Sequence, residues 1–227
     1  MGGLAVSAND YSKYVAWVLS AWPPRDGAED AILKRSSVRE IVQGSNFPAV
    51  VTRADKANPA ACDQARVYGM GMIVYSDCVL GPYFTHSGGL PGYGSNVVFL
   101  PERGVGVFAF ANVTYAPASR AVREAAITLV QSGAFPPRAP APSQRLQEVA
   151  RVMARVYEAG DVMVAGEALA MNLLLDRDAA HRNADIAALK SLLGACRAAE
   201  PFSSDTGMSA VITYPCERGR LRARSHG

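Results

Sequence analysis

Two apolar runs, Asn96–Leu100 and Val105–Asn112, are separated only by Pro101-Glu102-Arg103-Gly104. Both runs are rich in Val and Phe, which suit extended backbone, and the Pro and Gly between them are turn residues. So short a connection joins antiparallel neighbours, because a parallel crossover needs roughly a dozen residues or more. The middle of the chain is therefore committed to an antiparallel hairpin. A short strand, Tyr83–His86, leads toward it through the Gly-rich run Ser87-Gly88-Gly89-Leu90-Pro91-Gly92-Tyr93-Gly94. Met70, Met72 and Val74 alternate as in one more strand.

Helices are predicted on both sides of this β-rich region. Ser7 caps a helix to Trp22, with Asp10 in the capping-box position, and Pro23-Pro24 stop it. Tyr11, Tyr14, Val15, Val18, Leu19 and Trp22 recur at helical spacing and form its apolar face. A second helical stretch covers Glu29–Gln43, broken near Ser36-Ser37, with Ser37 and Glu40 as another capping box. Residues 44–65 read as loop. Ser119 opens a further helix, with Val122, Ala125, Ala126, Leu129 and Val130 as its stripe.

Residues 133–142 hold four prolines among small residues and read as a linker. Beyond it, Leu146, Val149, Val152, Met153 and Val156 mark a helix over Gln144–Ala159, and Ala184–Leu193 is another. Met208–Tyr214 and Arg220–Arg224 read as strands. The period-two arginines Arg218, Arg220, Arg222 and Arg224 share one solvated face. The expected organisation is a domain over 1–132, a linker over 133–142 and a small α+β appendage over 143–227 that ends mid-strand.

Composition narrows the classes. Hydrophobic residues make up 49% and charged residues 19%, which excludes a disordered chain. A net charge of +3 is too small to imply nucleic acid. No apolar run approaches the ~18 residues of a membrane helix. The opening Met1-Gly2-Gly3-Leu4 lacks the basic and apolar regions of a signal peptide.

The cysteines are Cys62, Cys78, Cys196 and Cys216. None forms a C-x-x-C pair and no His stands at ligand spacing, so no metal site is expected. Pairing by nearness gives two local disulfides, Cys62–Cys78 and Cys196–Cys216, and hence an oxidising compartment. The alternative is four buried thiols. Gly104–Ala109 fits G-x-G-x-x-A but lies in a turn and strand, so it is no dinucleotide fingerprint. Asn112-Val113-Thr114 is a formal glycosylation sequon that reads as a polar strand end. His181 sits among charged residues and reads as surface. No cofactor is expected.

His86 at a strand end, followed by Ser87 and two glycines, places a titratable group beside backbone that a substrate carbonyl can approach closely. A free N–H there can stabilise an oxyanion.

The whole run His86–Asn112 resembles the third-motif strand and hairpin of serine β-lactamase-related hydrolases, the group of class C β-lactamases, D-Ala-D-Ala peptidases and related esterases. Tyr68-Gly69-Met70-Gly71 is similar to that family's Y-G-x-G strand, and Met1–Trp22 to the G-G-L helix after its second motif. The resemblance covers residues 1 to about 132 in the family's order. It implies an antiparallel β-lactamase-like sheet with flanking helices, incomplete here. His86 takes the Lys/His position of the third motif, Ser87 the hydroxyl position, and Gly89 supplies an oxyanion-hole N–H. Gly88, Leu90 and Tyr93 are the implied substrate-binding residues. The parent family is periplasmic or secreted and acts on small-molecule or peptide substrates.

The other two motifs are not in the sequence. Three residues before Lys13, Lys34, Lys56 and Lys190 stand Asp10, Ala31, Arg53 and Ala187, so S-x-x-K is not formed. No Tyr begins Y-x-N, and Ser7-Ala8-Asn9 reads as the helix cap. A serine without its base is a poor nucleophile. The expectation is the later part of a serine hydrolase, inactive alone, with its opening residues at an internal position of a longer domain. A missing N-terminal half is then a possible partner. The alternatives are a ligand-binding module without turnover and an interaction protein.

Overall fold

The computed structural model describes residues 4–29, 32–51, 63–204 and 206–226. The chain divides into two compact units, Met1–Arg138 and Ala139–Gly227. The division falls within the Pro-rich segment. Its first part is anchored rather than free: the Arg138 N–H donates to Glu102 O at 2.7 Å, and Arg103 donates to Phe135 O at 2.6 Å.

The first unit holds α1 (Ala8–Leu19), α2 (Arg35–Glu40), β1 (Asn46–Val51), β2 (Gln64–Tyr68), β3 (Ile73–Asp77), β4 (Gly81–Leu90), β5 (Tyr93–Leu100), β6 (Val105–Ala111) and α3 (Ala118–Gln131). The strands form one antiparallel sheet in sequence order, β1 to β6. The unit is thus α+β, with an antiparallel sheet flanked by helices. Successive strand residues point to opposite faces, and both faces are covered. Phe84, Val97 and Phe99 pack with Val15, Val18 and Leu19 of α1. Tyr83, Val98 and Leu100 pack with Val122 and Ala126 of α3. The rings of Phe84 and Phe99 stack at 4.6 Å between centroids.

Ser7 caps α1 as its sequence predicts: its Oγ accepts from the Asp10 N–H at 3.1 Å and donates to Asp10 Oδ2 at 2.8 Å. Tyr14, expected on the buried face, is 41% exposed and lies at the helix margin. The second helix is shorter than its pattern suggests, and its N-cap is Lys34 rather than Ser37. Part of the segment read as loop, residues 44–65, is sheet: β1 and the start of β2 lie there, paired Val51↔Gln64 and Val50↔Ala65. Tyr68 ends β2, and Gly69–Gly71 are a turn rather than strand, with the Gly69 N–H donating to Met72 O.

A buried polar cluster fixes β4 in the sheet. Asp77, at the end of β3, accepts through Oδ1 from the N–H groups of Val79 and Leu80. Its Oδ2 accepts from Gln64 Nε2 at 2.7 Å and Arg123 Nη2 at 2.8 Å. Gln64 also donates to the Tyr83 hydroxyl. One carboxylate thus ties β2, β3, β4 and α3 together. Burial pushes the Asp77 carboxyl up, but the bonds from Leu80, Gln64, Arg123 and Val79 outweigh it, and the net shift is downward. Cys78 beside it is disulfide-bonded. Its expected partner, Cys62, lies outside the described residues.

The second unit holds α4 (Gln144–Ala159), a 3-10 segment (Val162–Ala168), α5 (Leu173–Asp176), α6 (Ala179–Leu193) and the antiparallel pair β7 (Ser209–Cys216) and β8 (Gly219–His226). Ser143 caps α4, and Gly160 ends it in the left-handed region at φ 75°. Leu146 and Ala150 of α4 pack on Ala210, Ile212 and Tyr214 of β7. Cys196 is disulfide-bonded to Cys216. Among the described residues, no helix is long and apolar enough to cross a membrane.

Candidate active-site edge

The run read as a Gly-rich loop is strand. β4 continues through Ser87, Gly88 and Gly89 to Leu90, paired with β5 as His86↔Val97, Ser87↔Asn96, Gly88↔Ser95, Gly89↔Gly94 and Leu90↔Tyr93. Its other neighbour stops earlier, because β3 pairs with β4 only from Gly81 to Thr85. Among the described residues, the outer edge of β4 is therefore open from His86 onward.

The turn at Pro91-Gly92 settles which backbone groups face that edge. A two-residue hairpin makes its flanking pair, Leu90 and Tyr93, hydrogen-bonded to each other, and the pattern alternates from there. Gly88 and His86 then spend their N–H and C=O on β5. Ser87 and Gly89 turn theirs outward, where no partner stands among the described residues. Residues 86–90 are all exposed.

Consecutive side chains leave opposite faces. His86 follows Phe84 onto the α1 face, whereas Ser87 follows Tyr83 and Thr85 onto the α3 face. A ligand meeting both must lie along the strand edge. Ser87 is positioned by Asn96, whose Nδ2 lies 3.1 Å from Ser87 Oγ, 3.2 Å from His86 O and 3.3 Å from Thr85 Oγ1. Asn96 is 4% exposed, and its Oδ1 has no partner among the described residues.

Glycine is required here for closeness. A Cβ on Gly89 would run into the ring of Tyr115, and one on Gly94 into the backbone of Ala116. The loop between β6 and α3 thus folds down over the β4–β5 hairpin. The Gly92 N–H donates to Thr114 Oγ1 at 2.7 Å, and the Tyr115 N–H donates to Tyr93 O at 3.1 Å. Tyr115 adopts φ 49°, a costly conformation for a bulky residue. The sequence reading missed Asn96, Thr114 and Tyr115. The paired glycines at 88 and 89 were the signal that something packs close.

Leu90 and Tyr93 stand at the hairpin tip, 44% and 65% exposed. Among the described residues, no group of three or more His, Cys, Asp and Glu gathers as metal ligands would.

Residues 1–132 match a family model described as Beta-lactamase. The chain belongs to that family, within the serine β-lactamase-related hydrolases. No curated protein and no solved structure matches it.

Proposed function

We propose that the outer edge of β4, from Ser87 to Gly89, is the substrate edge of a serine-hydrolase site for β-lactam, D-Ala-peptide or ester carbonyls. The observation that carries this reading is the outward Gly89 N–H on an open, exposed strand edge, beside a Ser87 hydroxyl held by Asn96. A carbonyl laid along the edge accepts from Gly89, which polarises it as an oxyanion-hole donor does. Ser87 hydrogen-bonds the ligand from the α3 face. His86, on the other face, sets the local field and relays protons. Gly88, Leu90 and Tyr93 line the approach.

The chain by itself binds without acylating. Its 227 residues contain neither S-x-x-K nor Y-x-N. Losing nucleophile and base removes most of the rate, whatever the oxyanion donors. The Cys196–Cys216 disulfide supports an oxidising, periplasmic or extracellular setting.

Two measurements test this. Incubation with a fluorescent penicillin or a fluorophosphonate leaves the chain unlabelled; a covalent adduct on Ser87 overturns the reading of inactivity. Titrating benzylpenicillin into the isotope-labelled chain moves the amide resonances of Ser87 and Gly89; silence at both positions sinks the binding edge.

A split-enzyme half is the second reading, favoured by β6. Among the described residues that strand has β5 as its single neighbour in the sheet, and its Phe110 is 45% exposed. An added strand from a chain carrying S-x-x-K would cover it. Hydrolysis restored by mixing in such a chain supports this reading, and ligand binding with no turnover in the mixture removes it.

A further inference from the structure

We propose that the second unit binds an extended acidic peptide by strand addition along the outer edge of β8. The β7–β8 turn is again of two residues, Glu217-Arg218, between the pair Cys216 and Gly219. That pair is hydrogen-bonded, so the next pair, Pro215 and Arg220, is not, which suits a proline without an N–H. Two bonds on the far side of β7 agree. The Arg197 N–H donates to Pro215 O at 2.8 Å, and the Glu200 N–H donates to Thr213 O at 2.9 Å. Pro215 and Thr213 thus face away from β8. Their partners Arg220 and Arg222, and Arg224 two residues on, then turn N–H and C=O toward the open side. Among the described residues nothing accepts from or donates to these groups.

Beside this edge lies a cavity of about 500 Å³. Its wall includes Val152 and Val156 of α4, Leu169, Leu173, and Ile186 and Leu189 of α6, and the β8 residues 221–225 complete it. Val152 and Val156 belong to the apolar stripe of α4 that β7 does not cover. The arrangement is a backbone template beside apolar pockets, which is what strand-adding peptide sites consist of.

Charge selects the occupant. Arg218 and Arg220 have carboxylate neighbours, Glu217 at 3.9 Å and Glu200 at 3.4 Å. Arg222 and Arg224 alternate with Leu221 and Ala223, so their side chains stand exposed on the sheet face opposite the cavity, and they have no acidic partner among the described residues. A second copy adding through the same edge would set arginine against arginine, which is destabilising across a strand pair. A lipid tail would fill the pockets and leave the strand's N–H groups unmet. A peptide alternating acidic and apolar residues satisfies all three features. Its main chain meets β8, its apolar side chains enter the cavity, and its carboxylates face Arg222 and Arg224.

The probe is a fluorescein-labelled Glu-Val-Glu-Leu-Glu-Val peptide, followed by anisotropy against the full chain. Binding is expected, weakened at least about tenfold by Arg222→Glu with Arg224→Glu and by raising salt from 0.05 to 0.5 M. Both substituted side chains are exposed, so folding is checked simply by circular dichroism. A peptide N-methylated at alternate residues, unable to donate to β8, is expected to lose binding with the wild-type chain. Equal binding of the N-methylated peptide overturns strand addition. Self-association of the chain in sedimentation, with no peptide binding, overturns the acidic-peptide occupant in favour of a second copy.

Discussion

The Asn96 side-chain amide donates to Ser87 Oγ across the β4–β5 pair at 3.1 Å, while its own Oδ1, buried, has no partner among the described residues. The two ends of one amide therefore act in opposite directions. The donor end orients the hydroxyl, and the acceptor end carries an unmet desolvation cost of about 1–3 kcal/mol. Thr85 Oγ1 keeps its bond to Val97 O at 2.6 Å without Asn96. Asn96→Leu should thus change stability by less than about 1 kcal/mol, because a lost bond and a removed orphan nearly cancel. The same variant should weaken the penicillin-induced shift at Ser87. Urea denaturation and the amide titration read the two effects separately. A loss of stability well beyond that range would make Asn96 a purely structural residue.

Gly89 and Tyr115 occupy each other's space. Gly89→Ala forces a methyl group into the ring and should cost about 1–3 kcal/mol as overpacking. Tyr115 is 69% exposed, so Tyr115→Ala should cost little by itself. Combined, the two substitutions should be less destabilising than their sum, with a coupling of about 1 kcal/mol or more. Denaturation midpoints of the four proteins in the cycle check this. Strict additivity would mean that the ring moves aside freely.

The parts of this fold legible in the sequence are those set by local chemistry. The Pro101–Gly104 turn fixed the β5–β6 hairpin, and Ser7 and Asp10 fixed the start of α1, whereas its end came at Leu19, short of the expected Trp22, because the chain tightens into i→i+3 turns over Ala21 and Trp22 before Pro23. The parts that were not legible depend on tertiary contact. β1 contains Phe47 and Val50, both exposed at 79% and 73%, so no buried alternation marks it, and it exists by pairing with β2. Gly88 and Gly89 carry weak strand propensity, yet pairing with Ser95 and Gly94 keeps them extended. At the proposed site, His86, Ser87 and Gly89 are implied by the family resemblance alone. Asn96 and Tyr115 carry no motif and reach the site through register and loop folding.

Asp77 predicts an acid limit to stability. Its folded pKa lies below the ordinary carboxylate value of 3.8. A depressed acid contributes its full stabilisation above the unfolded pKa and loses it as pH falls through the folded one. Thermal melts should therefore be insensitive to this group from pH 7 to about 4.5 and fall below 3.8. Asp77→Asn removes the carboxylate from its contact with Arg123, whose partner side chain is 0% exposed. That change should cost about 3 kcal/mol at pH 7, as breaking a buried pair does, and should flatten the acid dependence. An unaltered acid slope in the variant would assign the acid limit to other groups.

The Cys196–Cys216 bridge separates the stabilities of the two units by a spectroscopic route. The cysteines are 20 residues apart, and closing a loop of that size stabilises by roughly 3 kcal/mol in the chain-entropy model. Replacing both cysteines with serine should destabilise the second unit by about that amount. Both tryptophans, Trp17 and Trp22, lie in the first unit and pack against the α1 side of its sheet. Tryptophan fluorescence therefore follows the first unit, whereas far-ultraviolet circular dichroism follows helices in both. The double variant should show an earlier dichroism transition at lower urea with the fluorescence midpoint unmoved. A parallel displacement of both signals would show the chain unfolding as one cooperative body and would overturn the assignment of the bridge to the second unit alone.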